Sequence, residues 1–278
     1  MIRHVETRRS GSTRPARSLL LCGVQRVGTT MLCDLLTTSD RLGYPKEFFL
    51  PQARPAFLRA WNFPDDVANS TFLHRILHDG TTRNGVFAAK IMADQLDEVD
   101  RVTDGAGLRA FPDPLAVVLT RDDKVAAAVS QWRAEVTGEW SSRAERAAHP
   151  IDPAAADIDR ISELHDRKHE EESAWRRRLS LDEIPWIEAA YERWSPRPLR
   201  LVGDIADRLD VDLVGASATT ALRPQRDHAS ALVLDRWEQS THGCRRCADA
   251  RRRLQRSPGT RPHRATGPRP PAVRTRQR

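Results

Sequence analysis

The chain has 278 residues, 39% hydrophobic and 30% charged, enough to bury the core of one large soluble domain. No run approaches the roughly 18 consecutive apolar residues of a membrane span, and the basic start MIRHVETRRSGSTRPARS lacks the apolar segment of a secretory signal, so the cytoplasm is the expected compartment. The net charge of +7 is unevenly placed: residues 243–278 hold twelve Arg and one Asp, and the rest, with 33 basic and 37 acidic residues, carries −4.

Residues 1–16 read as a disordered basic N-terminus and 17–242 as the folded domain. Its first expected strand is Leu19–Val24 (LLLCGV), followed by a helix over Thr29–Thr37. The stretch 50–82 shows no interpretable period. Strands Val86–Met92 (VFAAKIM) and Leu115–Thr120 (LAVVLT) are bounded by Gly, Asn, Pro or Asp. Helices are expected at Lys124–Glu135 and Ala154–Arg178, and the charge of Arg160–Arg178 places that section on the surface. A weaker strand, Ile184–Ala190, precedes helices at Leu199–Leu209 and Ala231–Gln239. The Arg- and Pro-rich tail 243–278 has almost nothing to bury and reads as disordered. Strands alternating with helices predict an α/β, three-layer, P-loop-like fold with a central parallel sheet flanked by helices.

Two segments carry candidate chemistry. The first is LLLCGVQRVGTTMLCDLL, residues 19–36, where a strand enters a Gly-containing turn and then a helix. Such a turn aims backbone N–H groups and the helix dipole at an anion. Gly23, Gly28 and Thr30 fit the GxxxxGK[ST] phosphate loop, but Thr29 stands where its lysine belongs. That substitution argues against an ATPase or kinase, although Arg26 returns a positive group to the loop. A plain strand–turn–helix with threonine caps would look the same.

The second segment is TRDDKVAAAVSQWRAE, with Arg121 just past a strand end and Ser130 nine residues later on the next helix. Ligands of open α/β sheets bind at the carboxyl ends of strands, which sets Arg121 beside the first loop. An Arg fork with a hydroxyl partner suits a second, separate phosphate. A surface Arg paired with Asp122 or Asp123 is the bland alternative. Together the segments describe a ligand with two phosphate groups that is not a triphosphate.

Here QRVGTT (Gln25–Thr30) resembles the QRSGTT loop of the bacterial sulfotransferases related to mycobacterial trehalose 2-sulfotransferase. YPKEFF (Tyr44–Phe49), RNGVFAAKIM (Arg83–Met92), the Arg121…Ser130–Arg133 block and the RPQRD run at 223–227 before Trp237 resemble that family in the same order, over about residues 18–240. The resemblance implies transfer of a sulfuryl group from 3′-phosphoadenosine 5′-phosphosulfate to a hydroxyl of a carbohydrate or glycolipid such as trehalose. It implies that the loop Gln25, Arg26, Val27, Gly28, Thr29 and Thr30 holds the 5′-phosphosulfate, with Arg26 at the leaving oxygen. Arg121 and Ser130 would hold the 3′-phosphate, and Glu47 would be the general base. It also implies a homodimer and no metal. Val27 departs from the family's loop serine, and if the missing hydroxyl is the limiting defect, Val27→Ser should raise activity.

Other residues weigh less. Cys244 and Cys247 with His242 and His263 make a thin case for zinc. His74/His78 and His165/His169 are spaced i, i+4 but lack the Glu of a metalloprotease helix. Lys90 either points into the site or buries its stem structurally; Trp132 and Trp175 read as core. Two alternatives stay open: a degenerate, catalytically weak nucleotide-binding relative, and a nucleic-acid-binding protein acting through its tail, against which stand the acidic domain and the lack of a recognition motif.

Overall fold

A computed structural model describes residues 14–140, 151–220, 222 and 228–242. The tail 243–278 with its cysteines, the run at 223–227 and residues 1–13 lie outside the described residues. The chain divides into Met1–Trp237 and Glu238–Arg278, and the sheet and the candidate site belong to the first of these units.

The elements in chain order are β1 (Arg17–Gly23), α1 (Thr29–Ser39), α2 (Arg54–Ala60), α3 (Asn69–Asp79), β2 (Val86–Met92), α4 (Leu96–Val102) and β3 (Pro114–Thr120). After these come α5 (Lys124–Thr137), α6 (Ile158–Leu181), β4 (Trp186–Ala190), the single turn α7 (Tyr191–Trp194), α8 (Pro198–Arg208) and α9 (His228–His242). The strands expected from apolar runs all form. Helix α6 starts later than its sequence pattern suggested because the Asp157 side chain accepts from the Arg160 amide and fixes the start there.

All strand pairs are parallel, in the order β2–β1–β3–β4. The chain leaves β1 for β2 on one side and returns to β3 on the other. The topological switch therefore lies between the carboxyl ends of β1 and β3, where open α/β sheets bind ligands.

Alternation along the strands sorts the core into two layers. Leu20, Cys22, Phe87, Ala89, Ile91, Ala116 and Val118 face Phe57, Phe72, Ile76 and Trp175 of α2, α3 and α6. Leu19, Leu21, Val86, Ala88, Val117 and Leu119 face Leu32, Leu35 and Leu36 of α1 and Leu201, Val202 and Ile205 of α8. Burial of each large aliphatic side chain contributes about 1.5–3 kcal/mol, so the central strands are held from both faces, as their unbroken apolar runs require. Among the described residues no helix is long and apolar enough to cross a membrane.

The stretch 50–82 does contain helices. In α3 Phe72 and Ile76 are buried at i, i+4 while His74 and Arg75 lie between them. The surface expectation for Arg160–Arg178 holds for only part of α6. Lys168, Glu172 and Trp175 form a buried strip, because each finds a partner inside the fold.

Candidate active site

The loop after β1 turns on two left-handed residues, Arg26 at φ 71° and Gly28 at φ 84°. Such turns gather backbone amides around a concavity that suits an anion. A non-glycine residue held there stores about 1–3 kcal/mol of strain, the kind of outlier that marks a functional loop. Gly28 is required twice over. Beyond its positive φ, a Cβ there would sit 2.7 Å from Tyr191 Cδ2 and 2.8 Å from Trp194 Cζ2. The loop thus runs directly into α1, whose first amides have no intrahelical acceptor. Thr30 is half-buried and Thr29 buried at this helix start.

Val27 is fully buried in the apolar layer with Val24 and Leu32. A serine hydroxyl at this position would be buried as well, so the expected gain in activity from Val27→Ser does not follow from this placement. Losing the two methyl groups and burying a hydroxyl should instead destabilise the fold by about 1–3 kcal/mol. Urea unfolding of the variant measures this; an unchanged midpoint would show that the side chain is not part of the core.

Arg26 reaches across the switch point. Its Nε donates to Ser130 Oγ at 2.9 Å and its Nη1 to the Trp140 carbonyl at 2.6 Å. Burial first, then Arg121 and Arg133, lower its pKa to about 10, which leaves it charged at neutral pH. Arg121 Nη1 donates to the Arg26 carbonyl at 3.3 Å, and its guanidinium lies 5.2 Å from the centre of the Tyr191 ring. Its ionic partner is Glu192 at 3.5 Å rather than Asp122 or Asp123. Asp123 instead caps α5 by accepting from the Ala126 amide. Arg121 Nε is buried against Glu192 Oε1 in its ion pair, without meeting hydrogen-bond geometry.

Glu47 arrives by a different route. Lys46 pairs with Ala89 beside β2, and the Lys90 amide donates to the Lys46 carbonyl at 2.9 Å. That pairing lays Glu47 against Lys90, whose Nζ donates to Glu47 Oε2 at 2.9 Å. Gln95 Nε2 donates to Glu47 Oε1 at 2.8 Å, and Gln95 Oε1 in turn accepts from the Met92 amide at 3.2 Å. Each carboxylate oxygen therefore has one fixed donor and a lone pair to spare. Asp94 stands nearby; its pKa is raised by burial first and by Glu47, while Arg167 and Lys90 oppose the shift.

The structure thus joins Arg26, Arg121 and Ser130 in one hydrogen-bonded group at the ends of β1 and β3, with Glu47 anchored beside the end of β2. Sequence reasoning missed Gln95, Glu192 and Lys168. Each depends on a contact made only when distant segments fold together, and the only sequence signal for Gln95 and Glu192 was their place just beyond a strand end. Chemically, the group offers amides, two guanidiniums and hydroxyls to an anion with two separated phosphate-type ends, beside a carboxylate able to accept a proton.

The chain resembles known proteins along most of its length. Residues 18–240 match the Stf0 sulphotransferase family. The trehalose 2-sulfotransferase of Mycobacterium tuberculosis strain Erdman is 26% identical over 260 residues, covering 81% of this chain and 94% of that protein. The trehalose 2-sulfotransferase of Mycolicibacterium smegmatis is 28% identical over 236 residues, covering 72% and 86%. Among solved structures, a sulfotransferase from Alicyclobacillus acidocaldarius is similar with a TM-score of 0.45 and 17% identity, over 87% of this chain and 95% of that one. The sulfotransferase domain of the Synechococcus PCC 7002 olefin synthase has a TM-score of 0.40 and 15% identity, over 81% and 88%.

Proposed function

The chain belongs to the Stf0 sulphotransferase family, and on that premise we propose that it transfers a sulfuryl group from 3′-phosphoadenosine 5′-phosphosulfate to a carbohydrate hydroxyl, with trehalose the first acceptor to test. The observation that carries this reading is the Arg26–Ser130 hydrogen bond of 2.9 Å. It links the loop suited to a 5′-phosphosulfate to the Arg121–Ser130 pair suited to a 3′-phosphate. A hydroxyl has one donor and two acceptor lone pairs, so Ser130 can keep accepting from Arg26 while donating to a phosphate. The Arg121 guanidinium, which donates from Nη1 to the Arg26 carbonyl at 3.3 Å, supports the same assignment by its place beside the loop.

In this mechanism the amides of residues 26–30 and the Thr29 and Thr30 hydroxyls hold the phosphosulfate. The acceptor oxygen attacks sulfur as its proton passes to Glu47. The bond from sulfur to the bridging oxygen breaks, and Arg26 stabilises the charge left on 3′-phosphoadenosine 5′-phosphate. Lys90 and Gln95 orient Glu47 through their hydrogen bonds to its two oxygens. Positioning and charge stabilisation supply most of the rate, as in phosphoryl transfer.

The test is incubation of the full chain with the donor and trehalose, followed by mass spectrometry. A sulfated disaccharide together with 3′-phosphoadenosine 5′-phosphate is the expected product. If a panel of mono- and disaccharides and glycolipids yields no sulfated product while the donor still binds, the transferase reading fails.

A further inference from the structure

The loop after β1 is held from behind by α6. Trp175 Nε1 donates to the Gly23 carbonyl at 2.9 Å, and Lys168 Nζ donates to the Gln25 carbonyl at 3.0 Å. The same ammonium donates to Gln131 Oε1 at 2.8 Å, and Gln131 adjoins Ser130 on α5. Lys168 is 1% exposed and Trp175 0%, so both ties lie out of water, where a hydrogen bond is stronger and its loss costs more. Between them on the same helix face, Glu172 pairs with Lys124 at 2.8 Å, and Lys124 Nζ donates to the Arg121 carbonyl at 2.5 Å. One strip of α6 thus braces the loops after both β1 and β3.

We propose that Lys168 is a positioning residue for the donor site: its buried ammonium ties the Gln25 carbonyl to the Gln131 side chain and supplies, from behind the loop, the positive charge that the loop lacks at Thr29. This rests on the donor reading under Proposed function. In nucleoside-triphosphate enzymes a lysine within the loop brings that charge to the phosphates. Here it comes from another helix and acts through the loop's shape and potential.

The surroundings of Lys168 give the proposal a signature. Arg26 in the loop and Arg121 after β3 disfavour its charge, while Glu171 on its own helix and Glu135 on α5 favour it. Burial is the largest effect and acts with the two arginines against the two glutamates, so its pKa falls to about 8. An anion bound on the loop stabilises the ammonium, so above about pH 8 binding must take up a proton. Affinity therefore falls as pH rises through that value, and is pH-independent below it as far as Lys168 is concerned.

The experiment is calorimetric titration of the full chain with 3′-phosphoadenosine 5′-phosphate and, separately, with ADP, between about pH 7 and about pH 9.5. Wild type should lose about tenfold in affinity across this window. Lys168→Arg stays charged and Lys168→Met stays neutral, so both should change by less than about twofold, with Lys168→Met about tenfold weaker at neutral pH. A flat wild-type profile, or variant profiles parallel to wild type, overturns the proposal. Should Lys168→Met fail to fold, the Lys168→Arg profile decides alone. Both ligands place phosphate on the loop after β1. Equal affinities for them therefore sink the donor reading yet leave the pH comparison intact, and binding of neither overturns both.

Discussion

Glu47→Ala is expected to lower kcat by about a hundred- to ten-thousandfold, the range for loss of a general base. Affinity for 3′-phosphoadenosine 5′-phosphate should change by less than about twofold. The split follows from where the carboxylate is tied. Its partners Lys90 and Gln95 belong to β2 and the turn after it, whereas Arg26, Arg121 and Ser130 stand at the ends of β1 and β3 and on α5. Gln95 is 1% exposed, and removing its acceptor should also cost the fold about 1–3 kcal/mol. Glu47→Gln keeps one acceptor oxygen and separates the effects: it should retain more stability than Glu47→Ala and equally little activity. Steady-state kinetics with a parallel nucleotide titration checks this. Full activity in Glu47→Gln would show that the carboxylate is structural.

Arg26→Ala should reduce kcat by about a hundred- to a thousandfold, as loss of one charge-stabilising donor does, and should also weaken nucleotide binding. The guanidinium reaches both Ser130 and the Trp140 carbonyl, so in the proposed mechanism its removal disconnects the two phosphate elements and leaves the developing charge without its donor. Arg26→Lys restores the charge without the planar fork and should recover only part of the loss. Because burial and the neighbouring guanidiniums hold the Arg26 pKa at about 10, its contribution is complete at neutral pH and is lost as pH rises through that value. Equal kcat in wild type and Arg26→Ala would place the leaving-group interaction elsewhere.

The sheet was legible because β1, β2 and β3 are buried on both faces and show as apolar runs, broken in β2 only by Lys90. Gly23 and Gly28 made the loop legible, and Arg121 could be placed because it directly follows a strand. The braces could not be read. Lys168 and Glu172 sit in a run whose composition says surface, and only the fold reveals that Gln25, Gln131 and Lys124 wait for them. Helix α3 went unread although Phe72 and Ile76 stand at i, i+4 with Leu73 and Leu77 beside them, because that apolar pattern spans less than two turns. The burial of Val27 with Val24 and Leu32 was not legible either, because its place in the motif says nothing of what its side chain packs against.

The central claim is that Arg121 and Ser130 recognise a phosphate that ordinary nucleoside diphosphates lack. Calorimetric titration of the wild-type chain at neutral pH compares 3′-phosphoadenosine 5′-phosphate with ADP directly. One charge-assisted hydrogen bond contributes about 1.5–3 kcal/mol, and about 1.4 kcal/mol is a factor of ten. The 3′-phosphate should therefore tighten binding at least about tenfold, and Arg121→Ala should abolish most of that difference. Equal affinities of the wild-type chain for the two nucleotides would contradict the account.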